Sequence, residues 1–231
     1  MSGTRHRVET EFALDLAVAA GRITLGYFQS GLDVDLKADG SPVTRADREA
    51  EQFLRRRLAE RFPADGVVGE EYGVERPDAP RRWILDPIDG TKSFARGVPL
   101  YGVMLALEVE GVAEVGVIHF PALNETVWAT RGDACWWNGR RARVSTVDSL
   151  ARAVVLSSDM FGMEKAGHGD AFRRVARRCA YARTWGDCYG HALVATGRAE
   201  AIFDPKLALW DAAPLLPIIE MAGGSFTTLD G

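Results

Sequence analysis

Trp83-Ile84-Leu85-Asp86-Pro87-Ile88-Asp89-Gly90-Thr91-Lys92-Ser93-Phe94 carries an apolar, strand-forming run straight into two aspartates three residues apart. Carboxylate oxygens at the rim of a rigid strand suit a hard cation such as Mg²⁺. Gly90 lets the backbone approach a ligand closely, and the N–H groups opening the following short helix can receive a phosphate. Metal ligands beside a phosphate cradle point to phosphoryl hydrolysis. The same string also serves as an ordinary turn, with Asp capping the next helix and Gly at positive φ. Other segments are needed to separate the two readings.

The 231 residues make one domain or two small intertwined ones, with ample chain for a packed core. A hydrophobic fraction of 47% and a charged fraction of 26% are those of a soluble globular protein. The formal net charge of −4 speaks against a nucleic-acid partner. Met1 to Glu11 is polar rather than apolar, and no apolar run is long enough to span a bilayer. We therefore expect no signal peptide, no membrane partner and a cytoplasmic location. Cys135, Cys179 and Cys188 form no CxxC pair, which suggests neither a disulfide framework nor a structural zinc. Cys188 reads as a small buried apolar residue.

Working outward from the aspartates, Val8 to Gln29 is a predicted helix with Phe12, Leu16, Ala19, Ile23 and Tyr27 roughly on one face. A second helix runs from near Thr44 to Arg61 and is stopped by Pro63. Its run Arg55-Arg56-Arg57 reads as a solvated face. Short strands follow at Val67 to Gly69 and Arg82 to Leu85, then Val103 to Val109, Glu114 to Phe120 and Glu125 to Thr130. Asn138-Gly139 marks a tight hairpin turn. After about residue 150 strands and helices alternate, which indicates a layered α/β half ending in a strand at Ser225 to Leu229. Asp159 to Asp170 is glycine-rich and reads as a mobile loop.

Four further acids stand at strand ends or helix starts. Glu70 and Glu71 follow a short strand, whereas Asp47 and Asp211 open helices. Capping or helix-dipole pairing explains each helix-start acid taken alone. At such positions side chains can also converge on one crevice.

The motifs Pro42-Val43-Thr44-Arg45-Ala46-Asp47 with Lys37 before it, Gly69-Glu70-Glu71, Asp86 to Thr91, and Trp210-Asp211-Ala212-Ala213 with Gly223-Gly224 occur in that order. Together they resemble the inositol monophosphatase superfamily from about residue 8 onward. The resemblance implies an α/β (α+β) five-layered αβαβα sandwich and Mg²⁺-dependent hydrolysis of small phosphate monoesters. It implies that Glu70, Asp86 and the Ile88 carbonyl hold a first, activating Mg²⁺. Asp86, Asp89 and Asp211 hold a second ion that stabilises the leaving oxygen, and Asp47, with Glu70, reaches a weaker third. Glu71 and Thr91, counted with Asp47 as catalytic, orient and deprotonate the attacking water, and the Gly90 and Thr91 amides cradle the phosphate. Residues 1–148 then form the half with most metal ligands, and residues 149–231 the half that supplies Asp211 and substrate recognition. A homodimer is the usual assembly. The resemblance also implies a further loop, strand and helix after Gly231, so the sequence is expected to be truncated or to have lost that tail.

Trp185-Gly186-Asp187-Cys188-Tyr189-Gly190, Leu193 to Glu200 and Gly90 to Phe94 resemble the histidinol-phosphate phosphatases of this superfamily. An acid at Asp187, where inositol enzymes carry small neutral residues, suits a cationic substrate; L-histidinol offers an ammonium. Gly186, Asp187 and Asp204, with Asp89 and Asp211, are the expected substrate contacts. Asp187 also fits a plain helix N-cap. Inositol phosphate or a broader set of small phosphate esters is the alternative substrate. A catalytically retired metal-binding or interaction protein is the non-enzymatic alternative. His191 reads as structural.

Overall fold

The computed structural model describes residues 5–31, 33–38 and 40–229. Met1 to Thr4, Asp230 and Gly231, on which the expectations about the two chain ends partly fall, lie outside the described residues. The chain runs through α1 (Arg7–Tyr27), a two-stranded hairpin β1 (Val34–Leu36) and β2 (Pro42–Thr44), and α2 (Arg45–Arg61). Next come β3 (Gly66–Gly69), β4 (Gly73–Glu75), β5 (Arg81–Asp89) and the short α3 (Thr91–Ala95). A meander follows through β6 (Gly102–Val109), β7 (Val112–Phe120), β8 (Glu125–Thr130), β9 (Cys135–Trp137) and β10 (Arg140–Ala142). The rest is β11 (Val154–Ser157), α4 (Met160–Lys165), α5 (Gly169–Ala176), β12 (Tyr181–Arg183), α6 (Asp187–Ala195), β13 (Ala201–Phe203) and α7 (Leu209–Met221).

The large sheet has the order β10-β9-β8-β7-β6-β5-β3-β4, with β3 and β5 parallel and the other neighbours antiparallel. Side chains alternate across it, as the two-residue period of a strand requires. Trp83, Leu85, Val103, Leu105 and Leu107 meet Ala13, Leu16, Ala17, Leu54 and Leu58 of α1 and α2. On the opposite face Met104, Ile118 and Val127 meet Ala192 and Ala195 of α6 and Leu215 and Ile218 of α7. The parallel sheet β12-β11-β13 covers α6 through Leu156 and Leu193, and its outer side packs Val155 on Met163 and Phe172 of α4 and α5. The layers are thus α1/α2, large sheet, α6/α7, small sheet, α4/α5: a five-layered αβαβα sandwich. Truncating Leu54 or Leu58, both fully buried, would cost about 2–5 kcal/mol.

Four readings of the sequence change. The buried stripe of α1 is Ala13, Leu16, Ala17, Ala20 and Thr24, because small side chains let the helix lie close to the sheet; of the expected face Leu16 alone is buried. Arg55 is inside: it donates to Glu51 (2.7 Å) and Glu75 (2.8 Å), so one arginine of the supposed solvated run is a structural counter-ion. The stretch 159–170 contains α4, because burial of Met163 in the outer core outweighs its glycines. Ser225 to Leu229 is irregular, since a strand needs a pairing neighbour and none is found among the described residues. Asn138 and Gly139, both at positive φ, do make the expected tight turn between β9 and β10. Among the described residues no helix is long and apolar enough to cross a membrane.

Candidate active site

Strand parity alone would place Asp86 and Asp89 on opposite faces of β5. The ladder with β6 pairs Asp86 with Met104 but Asp89 with Gly102, so three steps on β5 match two on β6. That extra residue is a bulge, where Pro87, lacking an N–H, costs no ladder bond. Both aspartates therefore face the α7 layer. The turn is held by Ile88 N–H donating to Asp86 Oδ1 (3.0 Å) and by the Thr91 hydroxyl donating to the Ile88 carbonyl (3.0 Å). Gly90 caps α3 at φ 83°, a left-handed conformation that a side chain would strain.

Parity also brings the other acids in. Ile84 packs on Ala213, so Asp86, two residues on, meets Asp211, two residues earlier on α7. Oxygens of Asp86, Asp89 and Asp211 lie within 4.8 Å of one another. β3 pairs in parallel with β5, Gly69 opposite Leu85, which sets Glu70 level with Asp86. Glu71 is anchored from behind: its N–H donates to Glu51 Oε2 (2.7 Å). The Lys37 ammonium bridges Glu70 (2.7 Å) and Glu71 (2.6 Å).

Asp47 and Asp211 each combine capping with a second role. Asp47 Oδ2 accepts from the Thr44 N–H (2.8 Å), yet its Oδ1 is buried with no partner. Asp211 Oδ2 accepts from the Ala208 N–H (2.7 Å) while the group reaches Asp86.

The electrostatics follow from burial and crowding. Burial pushes Asp47 up to about 6, against the hydrogen bonds from Thr44. It pushes Glu71 up to about 7, opposed by Lys37 and assisted by Glu70. Asp86 and Asp89 stand well above the ordinary carboxylate range, first through burial and then through repulsion from neighbouring acids. Asp211 is raised for the same reasons. Burial pulls the Lys37 ammonium down, but its two carboxylate partners prevail and hold it above its usual value. One ammonium does not neutralise so many acids. The donor set is all oxygen, crowded, and includes an orphaned buried oxygen on Asp47, so these residues fit a hard cation such as Mg²⁺.

Asp89 and Asp211 also floor a cavity of about 420 Å³ whose walls include Lys92, Ser158, Gly186, Asp187, His191, Asp204 and Lys206. Asp187 Oδ2 lies beside Gly90, 3.3 Å from where a Cβ on that glycine would stand. Asp187 is not a side-chain N-cap: Gly186 occupies that position, and the α6 amide of Cys188 is met by Asp89 instead. Burial, then repulsion from Asp204, pushes Asp187 up to about 6. Asp204 is held below its usual value because His191 Nε2 bonds it at 2.7 Å, which outweighs its own burial. All the expected carboxylates thus fall into one connected site. Asp47, Glu70, Glu71 and Asp86 lie on its α2/β3/β5 side, and Gly186, Asp187 and Asp204 line the cavity. Sequence reading missed Ser158, which no motif marks, and the cavity position of His191. Lys92 was visible in the quoted turn, where its neighbouring carboxylates were not.

A carboxylate cluster on a bulged strand, beside a helix-capping turn in a five-layered αβαβα sandwich, defines an α/β class whose oxygen donors fit a hard cation. The chain belongs to the inositol monophosphatase family, whose profile matches residues 6–231. It is 45% identical over 217 residues to a histidinol-phosphatase from Chlorobaculum parvum, covering 94% of this chain and 84% of that protein. A histidinol-phosphatase from Mycobacterium tuberculosis is 39% identical, with 95% and 86% covered. Among solved structures, an inositol monophosphatase from Zymomonas mobilis superposes with a TM-score of 0.85 at 34% identity, covering 95% of this chain and 85% of that one.

Proposed function

We propose that this chain is a Mg²⁺-dependent phosphomonoesterase whose substrate is L-histidinol phosphate. The observation that carries the substrate choice is the position of Asp187, its carboxylate beside Gly90 at the expected phosphate cradle. In L-histidinol phosphate the ammonium sits on the carbon next to the phosphate-bearing methylene. An acid that reads this amine must therefore stand beside the phosphate site, and the position of Asp187 next to Gly90 supports that role. The imidazole then extends into the cavity toward Asp204 and Lys206. The histidinol-phosphatase relatives at 45% and 39% identity support the same choice.

In this reading Glu70, Asp86, Asp89, Asp211 and the Ile88 carbonyl hold the metal, with Asp47 reaching a further ion, for two or three Mg²⁺ per site. Bound there, Mg²⁺ would neutralise the phosphate and acidify a water. Thr91 and Glu71 orient that water and take its proton. The Thr91 hydroxyl is fixed on the Ile88 carbonyl (3.0 Å), and Glu71 is anchored beside Glu70 by its N–H to Glu51 (2.7 Å) and by the Lys37 ammonium on its carboxylate (2.6 Å). The Gly90 and Thr91 amides receive the phosphate oxygens. Asp187, with Gly186, Asp204, Asp89 and Asp211, orients the alcohol portion. The labour divides at residue 148/149, most metal ligands before it and substrate recognition after it. A homodimer working in the cytoplasm completes the proposal.

The test is phosphate release from L-histidinol phosphate and from inositol monophosphate, side by side, with Mg²⁺ and with a chelator. We expect Mg²⁺-dependent turnover with a much higher kcat/KM for L-histidinol phosphate. Preference for the inositol ester would overturn the substrate and keep the metal chemistry; no release from either ester by folded protein in Mg²⁺ would overturn both.

A further inference from the structure

We propose that Ser158 and His191 are positioning residues that set the substrate preference, by fixing the turn that presents Asp187. The inference rests on the substrate reading above and deepens it.

Asp187 sits at φ 52°, in the left-handed region that a residue with a side chain rarely occupies. Something must hold it there. Gly186 lies so close to the end of β11 that a Cβ on it would stand 2.3 Å from Ser158 Cα and 2.5 Å from Ser158 Oγ. The Asp187 N–H donates to that same Oγ at 2.8 Å. The Ser158 N–H in turn donates to Asp204 Oδ1 (3.2 Å), and Asp204 Oδ2 is bonded by His191 Nε2 (2.7 Å). His191 stands one helical turn after Asp187 on α6, so the chain of contacts closes on itself. This ring ties the end of β11, the end of β13 and the first turn of α6 together.

Its inner members are shielded from solvent: the side chains of His191 and Asp204 are 6% and 4% exposed. Asp204 is held below the usual carboxylate range by its hydrogen bonds to His191 and Ser158, which outweigh its burial. Among the described residues no cation is hydrogen-bonded to the Asp187 carboxylate; Lys92 acts on it through space, and Asp89 and Asp211 face it from the floor. Breaking the ring at Ser158 or His191 removes what holds Asp187 at positive φ. The peptide can then relax to negative φ and carry the carboxylate away from Gly90. Neither Ser158 nor His191 belongs to the acid cluster, so the loss falls on recognition of the ammonium rather than on the metal chemistry.

Steady-state kinetics with L-histidinol phosphate and with p-nitrophenyl phosphate, which has no amine, separate these roles in saturating Mg²⁺. For Ser158→Ala and His191→Leu we expect KM for L-histidinol phosphate to rise about tenfold while kcat changes less than about twofold. The ratio of the two kcat/KM values falls accordingly. His191→Gln, whose amide can still donate to Asp204, keeps the wild-type ratio. Equal losses on both esters, or an unchanged ratio in Ser158→Ala, would overturn the assignment while leaving the substrate reading intact. A wild-type enzyme without preference for L-histidinol phosphate would overturn the substrate reading, and this assignment with it. If His191→Leu does not fold, Ser158→Ala, a half-buried change of one oxygen, decides alone.

Discussion

Asp204 and Asp211 flank the same short loop between β13 and α7, and both line the cavity; burial pushes both up, yet they end on opposite sides of the usual carboxylate range. Asp204 has His191 bonded to it and is held below the usual carboxylate range. Asp211 has a backbone amide and a second carboxylate for company and is held above it. The contrast extends to the regions around them. On the α2/β5/α7 side acids crowd one another and Lys37 is the cation bridging two of them. On the α6/β13 side the buried Asp204 carboxylate is hydrogen-bonded at both oxygens, by the Ser158 N–H and by His191, whereas Asp187 has Lys92 acting on it only through space. Buried charge without a partner is costly, and a fold retains it where something outside the chain supplies the partner. In the proposed reading, metal completes the first region and a cationic substrate the second.

The sharpest way to break this comparison is Asp89→Asn. The asparagine keeps an oxygen for the Cys188 N–H but withdraws one charge from the crowded set. We expect kcat/KM to fall on the order of a thousandfold, since the metal clamp is worth several kcal/mol. In chelator the variant should melt above the wild type at neutral pH, because repulsion among buried acids is relieved. A variant that loses activity and also melts lower in chelator would show that Asp89 is a structural acid.

Asp187→Asn carries a smaller effect on the other region. A charge-assisted hydrogen bond contributes about 1.5–3 kcal/mol, so the preference for L-histidinol phosphate over a neutral ester should fall about ten- to a hundredfold. Kinetics on the two esters check this, and an equal fall on both would return Asp187 to a structural role.

The two regions were not equally legible in the sequence. The metal side was, because its acids sit on regular elements with fixed periods: two on one strand, two after another, one at the start of each of two helices. Even there the bulge at Pro87 and Ile88, which puts Asp86 and Asp89 on one face, is invisible without the β6 register. The selectivity side is made by contacts between elements far apart in the chain. Ser158 to Asp187 and His191 to Asp204 are such contacts, and no spacing rule foretells them. The same blindness explains Arg55, whose place in a run of three arginines hid its burial against Glu51 and Glu75. Local pattern likewise promised a strand at Ser225 to Leu229, for which the described residues offer no pairing neighbour.

The gentlest probe of the comparison is pH in the absence of metal. Asp47 and Glu71 titrate near 6 and 7 in the folded chain, against about 4 when unfolded. Between those values the folded state binds more protons than the unfolded one, so stability falls as pH rises from about 4 through about 7. Asp204 works in the opposite sense: lowered in the fold, its contribution is present above about pH 4 and is lost on acidification through its depressed value. The raised acids outnumber it, and in chelator Tm should drop by several degrees between pH 5.5 and 7.5, at about 2–4 °C per kcal/mol for a chain of this size. Mg²⁺ binds the ionised acids and should flatten that slope, whereas 0.5 M NaCl without Mg²⁺, which screens exposed charges, should leave most of it. Melting curves at the two pH values, with chelator, with Mg²⁺ and with salt, make the check. A slope that Mg²⁺ does not alter would mean that the crowded acids are tolerated by the fold itself and that the two regions do not differ in kind.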